Sequence, residues 1–365
     1  MSEIYIGIMS GTSLDGIDVS VVQFENSSSN ILYADTFNFE PELHRQLKEL
    51  VQSARSGLQQ LGEIQHRLAN NYASAVKKAL LASEIDAHAI KAIGCHGQTV
   101  YHQPDGEYPY SLQLGSGAIL AELTCIPVVT DFRNNDIALG GQGAPLVPKF
   151  HASLIGPEDS VAIINLGGIA NISLIEKSFV TGFDTGPANC LLDRWYRKWH
   201  TDGFDVSGNW ASTGKVNAAL LQAMLSDNYF AEQPPKSTGT EYFNSSWLDK
   251  YLSQLNPQAA PEDVQATLIE LTAQTVKNAI PQMPASKVYF CGGGVQNKHL
   301  MRVLKDLLGE GIKTTESLGI APDYMEAIAF AWLARRRIQG EPATIASVTG
   351  AKNDAISGCV YLPSL

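Results

Sequence analysis

The chain has little of what marks a disulfide-stapled, zinc-binding or membrane protein. Its five cysteines, Cys95, Cys125, Cys190, Cys291 and Cys359, are odd in number, scattered and without CxxC spacing. That argues against a disulfide framework or a zinc site and favours a reducing compartment. No apolar run reaches the roughly 18 residues of a membrane helix, and the N-terminus has no basic n-region, so a cytoplasmic protein is expected. Positive charge is also short: 26 Lys and Arg face 37 Asp and Glu, a net charge of −11. Nucleic acid and anionic membrane surfaces are therefore poor candidates for the main partner. A small anionic ligand stays open, because a glycine nest or a cation overrides the global field locally. With 44% hydrophobic and 17% charged residues, the 365-residue chain has an ordinary globular composition and is long enough for two domains.

What the sequence does have is glycine, concentrated in turns at the ends of apolar runs. Ile4–Met9 and Ile17–Val22 read as two buried strands around a turn of Ser10, Gly11, Thr12, Ser13, Leu14, Asp15 and Gly16. Backbone N–H groups and hydroxyls from Gly11 to Ser13 suit phosphate oxygens. Asp15 and Asp18 would repel phosphate unless Mg²⁺ sits between them, through water. Helices are expected from Pro41 and over about 60–81, on the spacing of their leucines and alanines. The short strand Ala89–Cys95 then delivers His96, Gly97, Gln98 and Thr99 at its C-terminal end, where open α/β sheets gather ligand groups. His96 and His102 lack further ligands at metal spacing; a polar contact to a substrate hydroxyl is the better functional reading, with a satisfied structural histidine as its competitor. Arg133 offers a planar fork for a carboxylate, or an internal ion pair with Asp131 or Asp136. Gly140–Pro145 reads as a hinge or a crossing point between two lobes.

The second half repeats the pattern. The strand Val161–Leu166 runs into Gly167 and Gly168, then into another strand, with Asn165, Asn171 and Ser173 as candidate donors. Asp184, flanked by Gly182 and Gly186, is expected on a strand-to-helix turn, poised to accept a proton, with Asn189 as the helix cap. Residues 201–214 and 227–246 read as loop-rich rims of a cleft. The strand Lys287–Cys291 leads into Gly292, Gly293 and Gly294, a flat turn suited to a base and ribose. Pro322 and Asp323 then open a last helix whose Ala327, Ala329, Ala331 and Ala334 permit close packing.

This order of turns resembles the actin–Hsp70–sugar-kinase superfamily. More narrowly, Gly7 to Asp18 (GIMSGTSLDGID) is similar to the first phosphate motif of anhydro-N-acetylmuramic acid kinases. His96–Thr99, Asn165–Asn171, Gly182–Pro187, Gly292–Gly294 and the helix bearing Glu326 resemble further blocks of that family. The resemblance implies an α/β fold of two ribonuclease-H-like lobes, with mixed sheets flanked by helices and ATP in the interlobe cleft. Residues 1–135 would form the first lobe, with about 340–365 packing back on it, and 136–340 the second. It implies a kinase that opens 1,6-anhydro-N-acetylmuramic acid with water and phosphorylates O6, using ATP and Mg²⁺ in peptidoglycan recycling. On that reading Asp184 is the general base. Gly11, Thr12, Ser13, Leu14, Asp15, Gly16, Ile17, Asp18, Gly167 and Gly168 hold phosphates, with Asp15 and Asp18 on Mg²⁺. Gly292, Gly293 and Gly294 flank the adenosine, while His96, Thr99, Arg133 and Glu326 face the amino sugar. A homodimer is expected from the resemblance alone. Another N-acetylhexosamine kinase, or a nucleotide-gated ATPase without a sugar substrate, is the alternative.

Overall fold

The computed structural model describes residues 2–11, 14–25, 28–156, 159–177, 179–201, 203–255, 259–280 and 287–364. Thr12 and Ser13 of the first glycine turn lie outside the described residues. The chain divides into two compact units, Met1–Leu154 with Tyr324–Leu365, and Ile155–Asp323. The expected boundaries at 135 and 340 differ from this division, because the chain to Leu154 and the helix Met325–Ile338 both belong to the first unit.

In the first unit the opening apolar runs pair as expected: β1 (Glu3–Ser10) lies antiparallel to β2 (Ile17–Glu25), and β2 to β3 (Ser28–Phe37). Strand β4 (Ile90–Gln103) joins β1 in parallel and carries the short antiparallel β5 (Tyr110–Leu114); β6 (Val128–Thr130) extends the sheet in parallel. On one face Ile6, Ile8, Val19 and Val21 meet Leu43 and Leu47 of the helix Pro41–Ser53, and Ile64, Leu68 and Tyr72 of Leu58–Ser83. On the other face the helix Met325–Ile338 lies against β1 and β4. Its small residues allow this only because the sheet offers glycines beneath them. A Cβ on Gly7 would stand 1.7 Å from the Ala327 carbonyl oxygen, and one on Gly94 would stand 2.0 Å from that of Phe330.

The second unit builds the same sheet again. Strands β7 (Ser160–Leu166), β8 (Ile169–Glu176) and β9 (Phe179–Pro187) are successive antiparallel neighbours. β10 (Lys287–Cys291) joins β7 in parallel and β11 (Lys313–Thr314) joins β10. The order β11-β10-β7-β8-β9 repeats β6-β4-β1-β2-β3, the ribonuclease-H-like arrangement in both units. The last strand, β12 (Cys359–Tyr361), returns to pair antiparallel with β6. Both glycine turns therefore join the first and second strands of equivalent sheets.

Two local expectations change. Residues 140–145 are not a hinge but a loop inside the first unit. The Gly143 N–H donates to the buried Asp136 Oδ2 at 2.8 Å, the Gln142 N–H donates to the Thr349 carbonyl, and a Cβ on Gly141 would strike Asp136 Oδ2 at 2.2 Å. The glycines close the chain tightly around a buried carboxylate. Asp184 is not on a turn either: β9 continues through it to Pro187. Among the described residues no helix is long and apolar enough to cross a membrane.

Candidate active site

The first turn leaves β1 at Ser10, whose side chain is buried and shares a 2.6 Å hydrogen bond with the Tyr72 hydroxyl. The Gly11 carbonyl accepts from the Leu14 N–H at 3.1 Å and from Gln98 Nε2 at 3.2 Å. Leu14 takes a positive φ of 59°, and a Cβ on Gly16 would meet Thr36 Cγ2 at 2.4 Å, so the turn is tightly shaped. Asp15 is exposed, while Asp18 lies in β2, half-buried, with Oδ1 accepting from the Thr36 hydroxyl at 2.6 Å. Two carboxylates, one of them braced, suit Mg²⁺, which keeps most of its water and takes few protein ligands. Ile17 is buried in the core of the first unit. Among the described residues no cluster of three or more His, Cys, Asp or Glu could hold a metal on its own.

β4 runs past the predicted His96–Thr99 motif, so these residues lie within the strand and not at its end. His96 is 4% exposed. Its Nε2 accepts from Arg133 Nη2 at 2.8 Å and from Arg133 Nε at 3.2 Å, and Arg133 Nη1 donates to the Gly143 carbonyl at 2.8 Å. Burial and the adjacent guanidinium hold the His96 imidazole well below its ordinary pKa, so it is neutral and an acceptor. The structure thus places His96 as a brace for Arg133. Asp131 and Asp136 bond elsewhere: Asp131 accepts from Asn134 Nδ2 at 2.7 Å and Asp136 from the Thr349 hydroxyl at 2.7 Å. Thr99 Oγ1 accepts from Gln113 Nε2 at 3.1 Å, and that amide also donates to Ser111 Oγ, which shares a 2.8 Å bond with His102 Nδ1. Glu326, half-buried, sits in the first turn of the helix Met325–Ile338.

In the second unit the two glycine turns come together. A Cβ on Gly292, where φ is 82°, would lie 2.2 Å from Asn165 Oδ1, and one on Gly294 would lie 2.6 Å from Leu166 Cβ. Gly293 has open space above it. The Gly292–Gly294 turn therefore lies flat against the end of β7, and side chains at its flanks would lift it off. Gly167 and Gly168 accept, through their carbonyls, the N–H groups of Ala188, Asn189 and Cys190, which begin the helix Asn189–Trp199. Asn189 is the first helical residue and not the cap; its Nδ2 donates to the Leu166 carbonyl at 3.2 Å. Ser173 is fully buried mid-strand, away from the turn.

Register places the candidate base. Asn165 on β7 pairs with Asn171 on β8, and Asn171 with Asp184 on β9, so the three form one row across the sheet. Asp184 is 8% exposed. Its Oδ2 accepts from the Thr238 N–H at 2.9 Å, and its carbonyl accepts from the Tyr229 hydroxyl at 2.7 Å. Such a carboxylate is fixed in orientation and suited to taking a proton. Sequence reasoning missed Gln98, Tyr229 and Thr238. Only Gln98 had a signal, its place in the His96–Thr99 motif; the other two come from a stretch read as rim loop.

Two units of one ribonuclease-H-like topology, each with a glycine turn between its first two strands, are the build of the actin-like ATPase and sugar-kinase fold class. Comparison with known proteins goes further. The model of the family "Anhydro-N-acetylmuramic acid kinase" matches residues 3–363, and the chain belongs to that family. It is 44% identical to the anhydro-N-acetylmuramic acid kinase of Pasteurella multocida, over 98% of this chain and 96% of that one. It is also 44% identical to the enzyme of that name from Vibrio cholerae, over 99% of each. Among solved structures, the activator of the 2-hydroxyisocaproyl-CoA dehydratase from Clostridium difficile aligns with a TM-score of 0.47 at 12% identity, covering 92% of this chain and 96% of that one. The chain is a kinase acting on a small amino sugar.

Proposed function

We propose that this kinase uses ATP, Mg²⁺ and water to open 1,6-anhydro-N-acetylmuramic acid and phosphorylate O6, giving N-acetylmuramic acid 6-phosphate and ADP in peptidoglycan recycling. The observation that carries the reading is Asp184: a carboxylate held by a backbone N–H, in one strand row with Asn165 and Asn171 on the strands that flank the second glycine turn. Asp184 takes a proton from water as the water oxygen bonds to C1. The C1–O6 bond of the anhydro bridge breaks, O6 bonds to the γ-phosphorus, and the bond from that phosphorus to the ADP oxygen breaks. The proton then passes from Asp184 to solvent. Because phosphorus captures the leaving oxygen, one carboxylate serves where a glycosidase uses two.

Gly11 to Asp18 and Gly167–Gly168 hold the phosphates in this reading, and Gly292–Gly294 take the adenosine against the flat end of β7. Asp15 and Asp18 would hold Mg²⁺ through water, and the ion would supply charge neutralisation at the phosphates. Arg133, its guanidinium oriented by neutral His96, takes the lactyl carboxylate, and Thr99 and Glu326 take sugar oxygens. All five cysteines are free thiols, in keeping with a cytoplasmic site.

The test is mass spectrometry of the product made from 1,6-anhydro-N-acetylmuramic acid, ATP and Mg²⁺ in ¹⁸O-water, for wild type and Asp184→Asn. The reading expects one ¹⁸O at C1 of a 6-phosphorylated sugar and a nearly inactive variant. Phosphate transfer without solvent oxygen would make the enzyme an ordinary hydroxyl kinase.

A further inference from the structure

We propose that Tyr229 and Lys236 are positioning residues for the Asp184 carboxylate, carried on a strap, residues 227–238, that Asp227 pins to the helix Ser245–Leu252. The inference rests on Asp184 being the base. Hydrogen bonds join strap and strand within the second unit, among them the Tyr229 hydroxyl to the Asp184 carbonyl at 2.7 Å, the Asp184 N–H to the Lys236 carbonyl at 3.3 Å, and the Thr238 N–H to Asp184 Oδ2 at 2.9 Å. The base is thus gripped at backbone and carboxylate by residues some fifty positions away in sequence.

The Lys236 ammonium keeps the strap folded on itself. It donates to the Tyr229 carbonyl at 3.0 Å and stands 4.6 Å over the Tyr229 ring and 5.9 Å over that of Phe183, the neighbour of the base. At the start of the strap the buried Asp227 accepts four hydrogen bonds: from the Tyr229 N–H at 3.0 Å, Tyr242 Oη at 2.7 Å, Trp247 Nε1 at 3.0 Å and Tyr251 Oη at 2.7 Å. These donors hold its carboxyl below the usual range despite burial. Two of them, Trp247 and Tyr251, lie on the helix Ser245–Leu252. A carboxylate with four donors gives the strap one fixed origin, and the strap in turn gives Asp184 one orientation.

Tyr229→Phe, Lys236→Met, Lys236→Arg and Asp184→Asn, made in the full chain, test this by steady-state ADP release with 1,6-anhydro-N-acetylmuramic acid, together with thermal unfolding. Because a misplaced base slows chemistry more than binding, Tyr229→Phe and Lys236→Met are expected to lose roughly 10- to 100-fold in kcat, with KM for sugar and ATP within about twofold of wild type. Lys236→Arg restores much of the loss, because a guanidinium also donates and stacks over rings. Wild-type kcat in both variants beside an inactive Asp184→Asn overturns the strap and leaves the base reading standing. Loss of kcat that tracks a lowered unfolding midpoint, with no rescue by Arg, also overturns it, as a merely structural effect. An active Asp184→Asn overturns the base reading, and the strap's role with it.

Discussion

Gly7→Ala is the sharpest test of how this chain holds its first unit together. The added methyl would sit 1.7 Å from the Ala327 carbonyl oxygen and 2.6 Å from the Ala331 nitrogen. Both are backbone atoms of the helix Met325–Ile338, so no rotamer change relieves the clash. Ordinary contact begins near 3.4 Å, so the helix or strand must retreat by roughly 1.7 Å, well beyond a few tenths of an ångström. Such a retreat loosens the contacts of Ala327, Ala331 and Ala334, all buried, and draws Glu326 with them. Overpacking that moves backbone costs about 3 kcal/mol. For a unit of about 200 residues this lowers the unfolding midpoint by roughly 6–12 °C. Gly62→Ala is the control: Gly62 is exposed in the helix Leu58–Ser83 with nothing within 4 Å of its added Cβ. There the same methyl is expected to stabilise by about 0.5–1 kcal/mol, through helix propensity. Circular dichroism melts of both variants decide it. A Gly7→Ala midpoint within about 2 °C of wild type would refute the reasoning, because the clash would then have been absorbed without cost.

Two further outcomes follow from the first unit. Arg133→Lys keeps the charge but loses the planar fork that His96 and Gly143 hold. KM for the sugar is expected to rise by roughly 10-fold or more with a smaller change in kcat, and an unchanged KM would remove Arg133 from the substrate site. His151 is fully buried and its pKa is pushed down to about 3 by burial alone, so the folded state keeps it neutral while the unfolded chain protonates near 6.5. Stability from this group is therefore full above pH 6.5 and is lost as pH falls towards 3, by about 2 kcal/mol at pH 5. Thermal melts from pH 7.5 to 5 should show that decline, with a smaller slope in His151→Leu; a flat profile in wild type would contradict it.

Much of the site was legible in the chain because its turns are local. Gly11, Gly167–Gly168 and Gly292–Gly294 each follow an apolar run, and each sits at the end of a strand as expected. The doubled strand–turn–strand pattern was equally legible, since alternating and continuous apolar runs are short-range signals. The failures are instructive. Gly182 and Gly186 suggested a turn at Asp184, but pairing with β8 carries the strand through it. The glycines at 140–143 suggested a hinge, but they serve the buried Asp136, whose other partner, Thr349, is more than two hundred residues away.

By itself the sequence determined the class of enzyme and the glycine turns at its strand ends, and it pointed to the aspartate proposed as the base, because these are written in contiguous residues whose chemistry is local. Only the tertiary structure decided what each group can do. It set His96 behind Arg133, Gly7 and Gly94 beneath the last long helix, and Tyr229 and Thr238 on Asp184. Those contacts join residues far apart in the chain, and hydrogen bonds and close packing form only where folding has brought the partners within a few ångströms.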